Sequence, residues 1–93
     1  MVIGVLELEV SIDGAYSLKE KRMVVNRIRD RVRQKFNVSI AEVDDQDVWN
    51  CATFGIVGVS NDQQHTNRVL SKIVDFVKTI RDCELEDYSI QFV

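Results

Sequence analysis

Three groups of residues in this chain could do chemistry. Ser17 to Phe36, SLKEKRMVVNRIRDRVRQKF, carries eight of the twelve basic residues. Asp44-Asp45-Gln46-Asp47, with Trp49 close behind, gathers three carboxylates. His65 stands near Asp62 and beside Thr66, and Cys51 and Cys83 are the two thiols. A row of cations suits a polyanion, because each phosphate it neutralises releases condensed counterions. Clustered carboxylates can offer oxygen ligands to Mg or Ca, and a histidine beside a carboxylate can move protons.

The acidic run and the histidine go little further. The acidic run lacks the ordered ligand set of an EF-hand and reads as a solvated turn. No serine or cysteine motif accompanies His65, so it reads as a helix-start residue rather than a base. A small metal-dependent enzyme built on Asp44, Asp45, Asp47 and His65 is the weakest of the available readings, and no catalytic residue is assigned. Cys51 and Cys83 form no CxxC pair, and with a single histidine they leave too few soft ligands for zinc; reduced, buried thiols are expected. Gly55 and Gly58 form a GxxG inside an apolar run, which is neither a phosphate-cradling loop nor a KH clamp. No metal, cofactor or small-molecule ligand is expected.

Positioning these groups needs a scaffold, and 93 residues allow one domain, residues 1–93, able to bury roughly 60 to 68% of its unfolded surface. No apolar run approaches a membrane span, and glutamates interrupt MVIGVLELEVSI where a signal peptide needs a continuous apolar core, so a cytoplasmic chain is expected. Val2 to Ile12 alternates at strand period, with Val2, Gly4, Leu6, Leu8, Val10 and Ile12 opposite Ile3, Val5, Glu7, Glu9 and Ser11. Ser17 with Glu20 is a capping box that opens a helix ending near Asn37. Val38 to Val43 predicts a short strand, and Cys51 to Val59, apolar at almost every position, a central one. Ser60 with Gln63 offers a second capping box before Val69, Leu70, Ile73, Phe76, Val77 and Ile80, which recur at helical spacing. Leu85 to Val93 closes the chain as a strand. The order β-α-β-β-α-β predicts the α+β, ferredoxin-like arrangement: a four-stranded antiparallel sheet with two helices on one face. The opposite face then carries Ile3 and Val5, half-apolar and open to a partner such as a second copy.

The charge is polarised. Ser17 to Phe36 sums to +6, leaving −9 to the rest of a chain whose net charge is −3. At about 100° per residue, Leu18, Val25, Ile28, Val32 and Phe36 share the core-facing sector. Lys19, Arg22, Asn26, Arg29 and Arg33 run along one flank; Arg27, Arg31 and Lys35 run along the other. Lys21 falls inside the apolar sector, where its stem should pack while its ammonium snorkels past the helix end. If Lys19, Arg22, Arg29 and Arg33 each met a phosphate, the log-log salt slope would be about −3 to −4.5. RNA or a ribosomal surface is the matching partner. The competing readings are a solvated helix whose cations pair with acidic segments of the chain, and an acidic protein partner. A pI of about 5.0 and the lack of aromatics interleaved with the basic residues count against nucleic acid. Trp49 is the best candidate for a protein-interface anchor, with capping of the core as its alternative, and the acidic turn could meet the basic helix of another copy.

Ser17-Leu18-Lys19-x-Lys21-Arg22, Phe36-Asn37-Val38-Ser39-x-Ala41-Glu42-Val43, Asp47 and Trp49, then VSND before a long helix, resemble the YlxP-like family of small bacterial proteins over nearly the whole chain. The family is one of unknown function. The resemblance implies a ferredoxin-like fold and carries over no catalytic residue. Its members' genes often lie beside those for transcription elongation, translation initiation and ribosome maturation, which implies an RNA-linked role by association. Met23 stands where the resemblance leads one to expect another basic residue, thinning the ridge.

Overall fold

In the computed structural model, which describes residues Met1–Val93, β1 (Val2–Ile12) forms the spine of the sheet. It pairs antiparallel with β3 (Cys51–Ser60) on one side and β4 (Cys83–Phe92) on the other, while β2 (Ser39–Asp44) lies outside β3. The strand order is therefore β2-β3-β1-β4. Helices α1 (Leu18–Lys35) and α2 (Gln63–Val77) pack on one face, α1 over β2 and α2 over β1 and β3. This is the ferredoxin-like βαββαβ arrangement. No helix is long and apolar enough to cross a membrane.

Period 2 in the strands and period 3.6 in the helices meet in one core. Leu6, Leu8, Val10 and Ile12 of β1 and Ala52, Phe54 and Ile56 of β3 face Val24, Val25, Ile28 and Val32 of α1 and Leu70, Ile73, Val74 and Val77 of α2. Gly4 sets how closely α2 can approach. A Cβ there would lie 2.6 Å from Thr66 Cγ2 and 2.9 Å from Leu70 Cδ1, so the absence of a side chain lets the helix rest on the strand.

Two bulges shape the sheet. In β2 the register shifts between Glu42 and Asp44, which leaves Glu42 on the helix side opposite Phe54 and puts Val43 over Gly55 on the open side. In β4 the shift at Glu9/Val10 leaves Glu86 unpaired, so Tyr88 and Ile90 face the helices although Leu85, an odd-numbered residue, does too. The open face is consequently divided. Ile3, Val5, Val57 and Val59 hold one end, as the cross-strand pairs Ile3–Val59 and Val5–Val57, while Glu7, Glu9, Glu84 and Asp87 hold the other.

Several local expectations need correcting. α2 is capped by Asp62, whose carboxylate accepts from the Gln64 N–H at 3.0 Å. Ser60 instead turns the chain, its hydroxyl oxygen accepting from the Asp62 N–H at 3.0 Å and lying 2.6 Å from the Thr66 hydroxyl. A carboxylate beside the first free N–H groups serves the helix start at least as well as a hydroxyl two residues earlier. α2 stops at Val77, yet Ile80 reaches the core through the turn that follows. Leu18 is left 37% exposed at the edge of the helix, and Val24 takes its place in the core stripe. β4 starts at Cys83 rather than Leu85, after Asp82 turns the chain at φ 69°. Of the two free thiols, Cys83 is buried as expected, but Cys51 is only half-buried because it lies at the end of the open face.

Candidate nucleic-acid interface

The basic helix starts at a firm cap. Ser17 Oγ accepts from the Glu20 N–H at 3.2 Å, and Glu20 Oε2 reaches back to the Tyr16 N–H at 3.0 Å. One helix-start donor and the N–H just before the cap are thereby satisfied, and the Tyr16 backbone is tied just outside the first turn.

From that cap the cations take two routes. Lys21 turns inward. It is 1% exposed, and its Nζ donates to the carbonyls of Asp45, at 2.6 Å, and Val48, and lies 3.0 Å from Glu42 Oε2. Two carbonyls and a carboxylate match the three protons of an ammonium. The expected snorkelling does not occur, because the β2–β3 hairpin folds over the helix start and brings acceptors to the stem's end. The hairpin is tied in turn: Asp45, at φ 62°, accepts the Thr53 hydroxyl on Oδ2 at 2.8 Å, and Asp44 Oδ1 accepts the Asp45 N–H at 2.8 Å.

The other seven cations stay at or near the surface. Arg27 donates to Asp82 Oδ2 at 3.0 Å and to the Arg81 carbonyl at 3.2 Å. Lys19, Arg22, Arg29, Arg31, Arg33 and Lys35 pair with no carboxylate of the chain. Within the predicted ridge, Lys19 and Arg22 are exposed with no internal partner. Arg29 is half-buried and donates to Asn26 Oδ1 at 2.7 Å, which also occupies Asn26. Arg33 is exposed and donates one weak bond, 3.3 Å, to the Ile40 carbonyl of the edge strand β2. On the opposite flank, Lys35 Nζ sits 4.6 Å from the Phe76 ring centroid, a cation–π contact, and Arg31 is exposed.

Some residues grouped by sequence are far apart in space. Trp49 lies beyond the Ile12 end of β1, whose N–H reaches the Asn50 carbonyl, whereas Ile3 and Val5 lie at the other end. The separation is roughly 27 Å along the strand, so they do not form one patch. Asp44, Asp45 and Asp47 share the Trp49 end, while His65 lies at the start of α2 in a cleft of about 290 Å³ beside Lys35, Phe36, Val38 and Val69. No three acidic, histidine or cysteine residues converge as a metal site would require. Burial, reinforced by the Asp45 carboxylate, pushes the Cys51 thiol above its ordinary range, the opposite of an activated nucleophile.

Sequence reasoning passed over Tyr16. Its ring centroid is 6.2 Å from that of Trp49, the two planes tilted by 33°, at the very start of the basic helix. The signal was available only as a pair of aromatics each flanking a charged segment, and nothing local links them.

The chain belongs to the family described as "Protein of unknown function (DUF503)", which it matches over residues 3–90. It is 43% identical over 83 residues to the uncharacterized protein YlxP of Bacillus subtilis (strain 168), covering 89% of this chain and 90% of that one. Among solved structures it is similar to the de novo designed protein Foldit4, with a TM-score of 0.54 at 14% identity over 98% of this chain and 96% of that one. It is more distantly similar to SnoaB, a cofactor-independent oxygenase from Streptomyces nogalater, with a TM-score of 0.44 at 13% identity over 99% and 90% of the two chains. At such identities the first likeness concerns the fold alone.

Proposed function

We propose that this domain is a non-catalytic binding module that contacts RNA, including RNA on a ribosomal surface, through the exposed cations of α1. The observation that carries the reading is the set of six α1 cations with no carboxylate partner in the chain. A helix whose charges merely balanced the acidic segments would pair them, and only Lys21 and Arg27 are so used. Cations left in water at no mutual benefit are available to an external polyanion. Lys19, Arg22 and Arg33 are the accessible members, spread over about 21 Å of helix, while Arg29 and Asn26 brace the ridge between them.

The test is co-sedimentation with ribosomes at low salt. Lys19→Gln, Arg22→Gln and Arg33→Gln together should release the protein from the pellet, whereas Arg31→Gln with Lys35→Gln should do so less. Equal pelleting of both variants and the parent would sink the reading.

A second reading is self-association through the apolar end of the open face, favoured by exposed Val57 and Val59, each paired across strands with a half-buried partner, Val5 and Ile3. Val57→Glu with Val59→Glu should then abolish a dimer seen by sedimentation equilibrium. A parent chain that stays monomeric at millimolar concentration eliminates this alternative.

A further inference from the structure

Tyr16 is 80% exposed and Trp49 44% exposed, although both carry large apolar surfaces that folding normally hides. We infer that the pair is a stacking platform for unpaired bases, so that the basic flank of α1 takes single-stranded nucleic acid in preference to duplex; this rests on the polyanion reading above and specifies its ligand.

Two features of the site support the assignment, and one opposes it. The backbone that carries the rings is anchored before any ligand arrives, at Tyr16 by its N–H bond to Glu20 and next to Trp49 by the Lys21 bond to the Val48 carbonyl, which lowers the backbone share of the ordering cost of binding. They stand at the start of the ridge, where Lys19 and Arg22 leave the first turns unpaired, so a strand whose base rests on a ring has phosphate-binding groups next to it. Of the nearby carboxylates Glu42 is neutralised by Lys21, whereas Glu20, Asp44 and Asp45 accept from neutral donors and keep their charge. Asp47 has no such bond, and with Glu20 and Asp44, also exposed, it opposes a phosphate backbone and sets a cost that the α1 cations must outweigh.

Duplex hides the faces of its bases and offers only edges and phosphates, so the rings add nothing to its binding. A single strand offers a π-face at every nucleotide. The cationic rim along α1 matches such a strand. A second copy of this chain is the competing occupant of the aromatic pair.

Trp49 is the single tryptophan and reports directly on stacking. Titration of the whole protein with a short oligouridine at low salt should quench its emission, while a blunt RNA duplex of equal length should bind without quenching. Tyr16→Ala, a change at an exposed position, should weaken oligouridine binding about tenfold and leave duplex binding unchanged; Asp47→Asn should strengthen both. Oligouridine binding that depends on Arg22 and Arg33 but neither quenches Trp49 nor responds to Tyr16→Ala overturns the platform and leaves the ridge standing. Failure of both RNAs to bind removes the ridge and the platform together. If Tyr16→Ala instead changes only the sedimentation of the protein alone, the pair is a contact between copies and the inference is wrong.

Discussion

Lys21 and Arg22 are neighbours in sequence and opposites in physics. Lys21 gives up water for two carbonyls and a carboxylate, and fastens the β2–β3 hairpin to the start of α1. Arg22, one residue on and about 100° round the helix, keeps its water and has no partner in the fold. A cation removed from solvent contributes through its defined partners, and its loss strands them. A solvated one contributes almost nothing to the folded state and is free to act on something else. One segment of like charges therefore holds two kinds of cation, and side-chain angle decides which residue is which.

The largest expected effect comes from breaking the inner half of that contrast. Lys21→Ala leaves the largely buried Glu42 without its counterion and the Val48 carbonyl without a donor, while the Asp45 carbonyl keeps the Val48 N–H, and should cost about 3 kcal/mol in urea unfolding. Lys21→Met with Glu42→Gln, which removes the charges but keeps the bulk, should lose clearly less. Equal losses would mean that packing of the stem, and not the ion pair, holds the hairpin.

The outer half should break differently. Lys19→Gln, Arg22→Gln and Arg33→Gln together should each stay within about 0.5 kcal/mol of neutral in stability, yet flatten the salt dependence of RNA binding by about 0.7 per lost single-strand contact. A stability loss comparable to that of Lys21→Ala would erase the distinction between the two sets.

Cys83 supplies the smallest effect and a neutral comparison for burial. Its thiol is held above the ordinary value near 9.0, first by burial and then by the Asp13 and Asp82 carboxylates, against the opposing Arg27. The native state therefore keeps this proton to higher pH than the unfolded chain does. Its contribution is complete below the ordinary thiol range and is lost as pH rises through the raised value. Stability measured across that alkaline window should fall less steeply in Cys83→Ala than in the parent.

What the sequence revealed depended on how far its signals reach. The alternation of β1 and the helical spacing of Val69 to Val77 are local consequences of burial, and they predict the element order and so the fold. The two flanks of α1 follow from the same arithmetic. Lys21's position in the apolar sector was visible too, but its partners come from a hairpin beyond the helix, which no local period encodes. The Tyr16–Trp49 contact was hidden for the same reason. The start of β4 escaped because the bulge at Glu86 shifts the register, so alternation read from Tyr88 onward does not extend back to Cys83.

The strand order β2-β3-β1-β4 also bears on how the chain acquires its shape. β2 and β3 can zip as a hairpin by themselves, but β1, which precedes the other three strands of the sheet, must wait for partners at residues 51–60 and 83–92. Both of its ladders require long loops to close, and that entropy is spent before the contacts are gained. During that interval an apolar strand exposes two unpaired edges. The acidic residues along β1 and β4, Glu7, Glu9, Glu84 and Asp87, then act as gatekeepers, discouraging wrong pairings between chains until the sheet is complete.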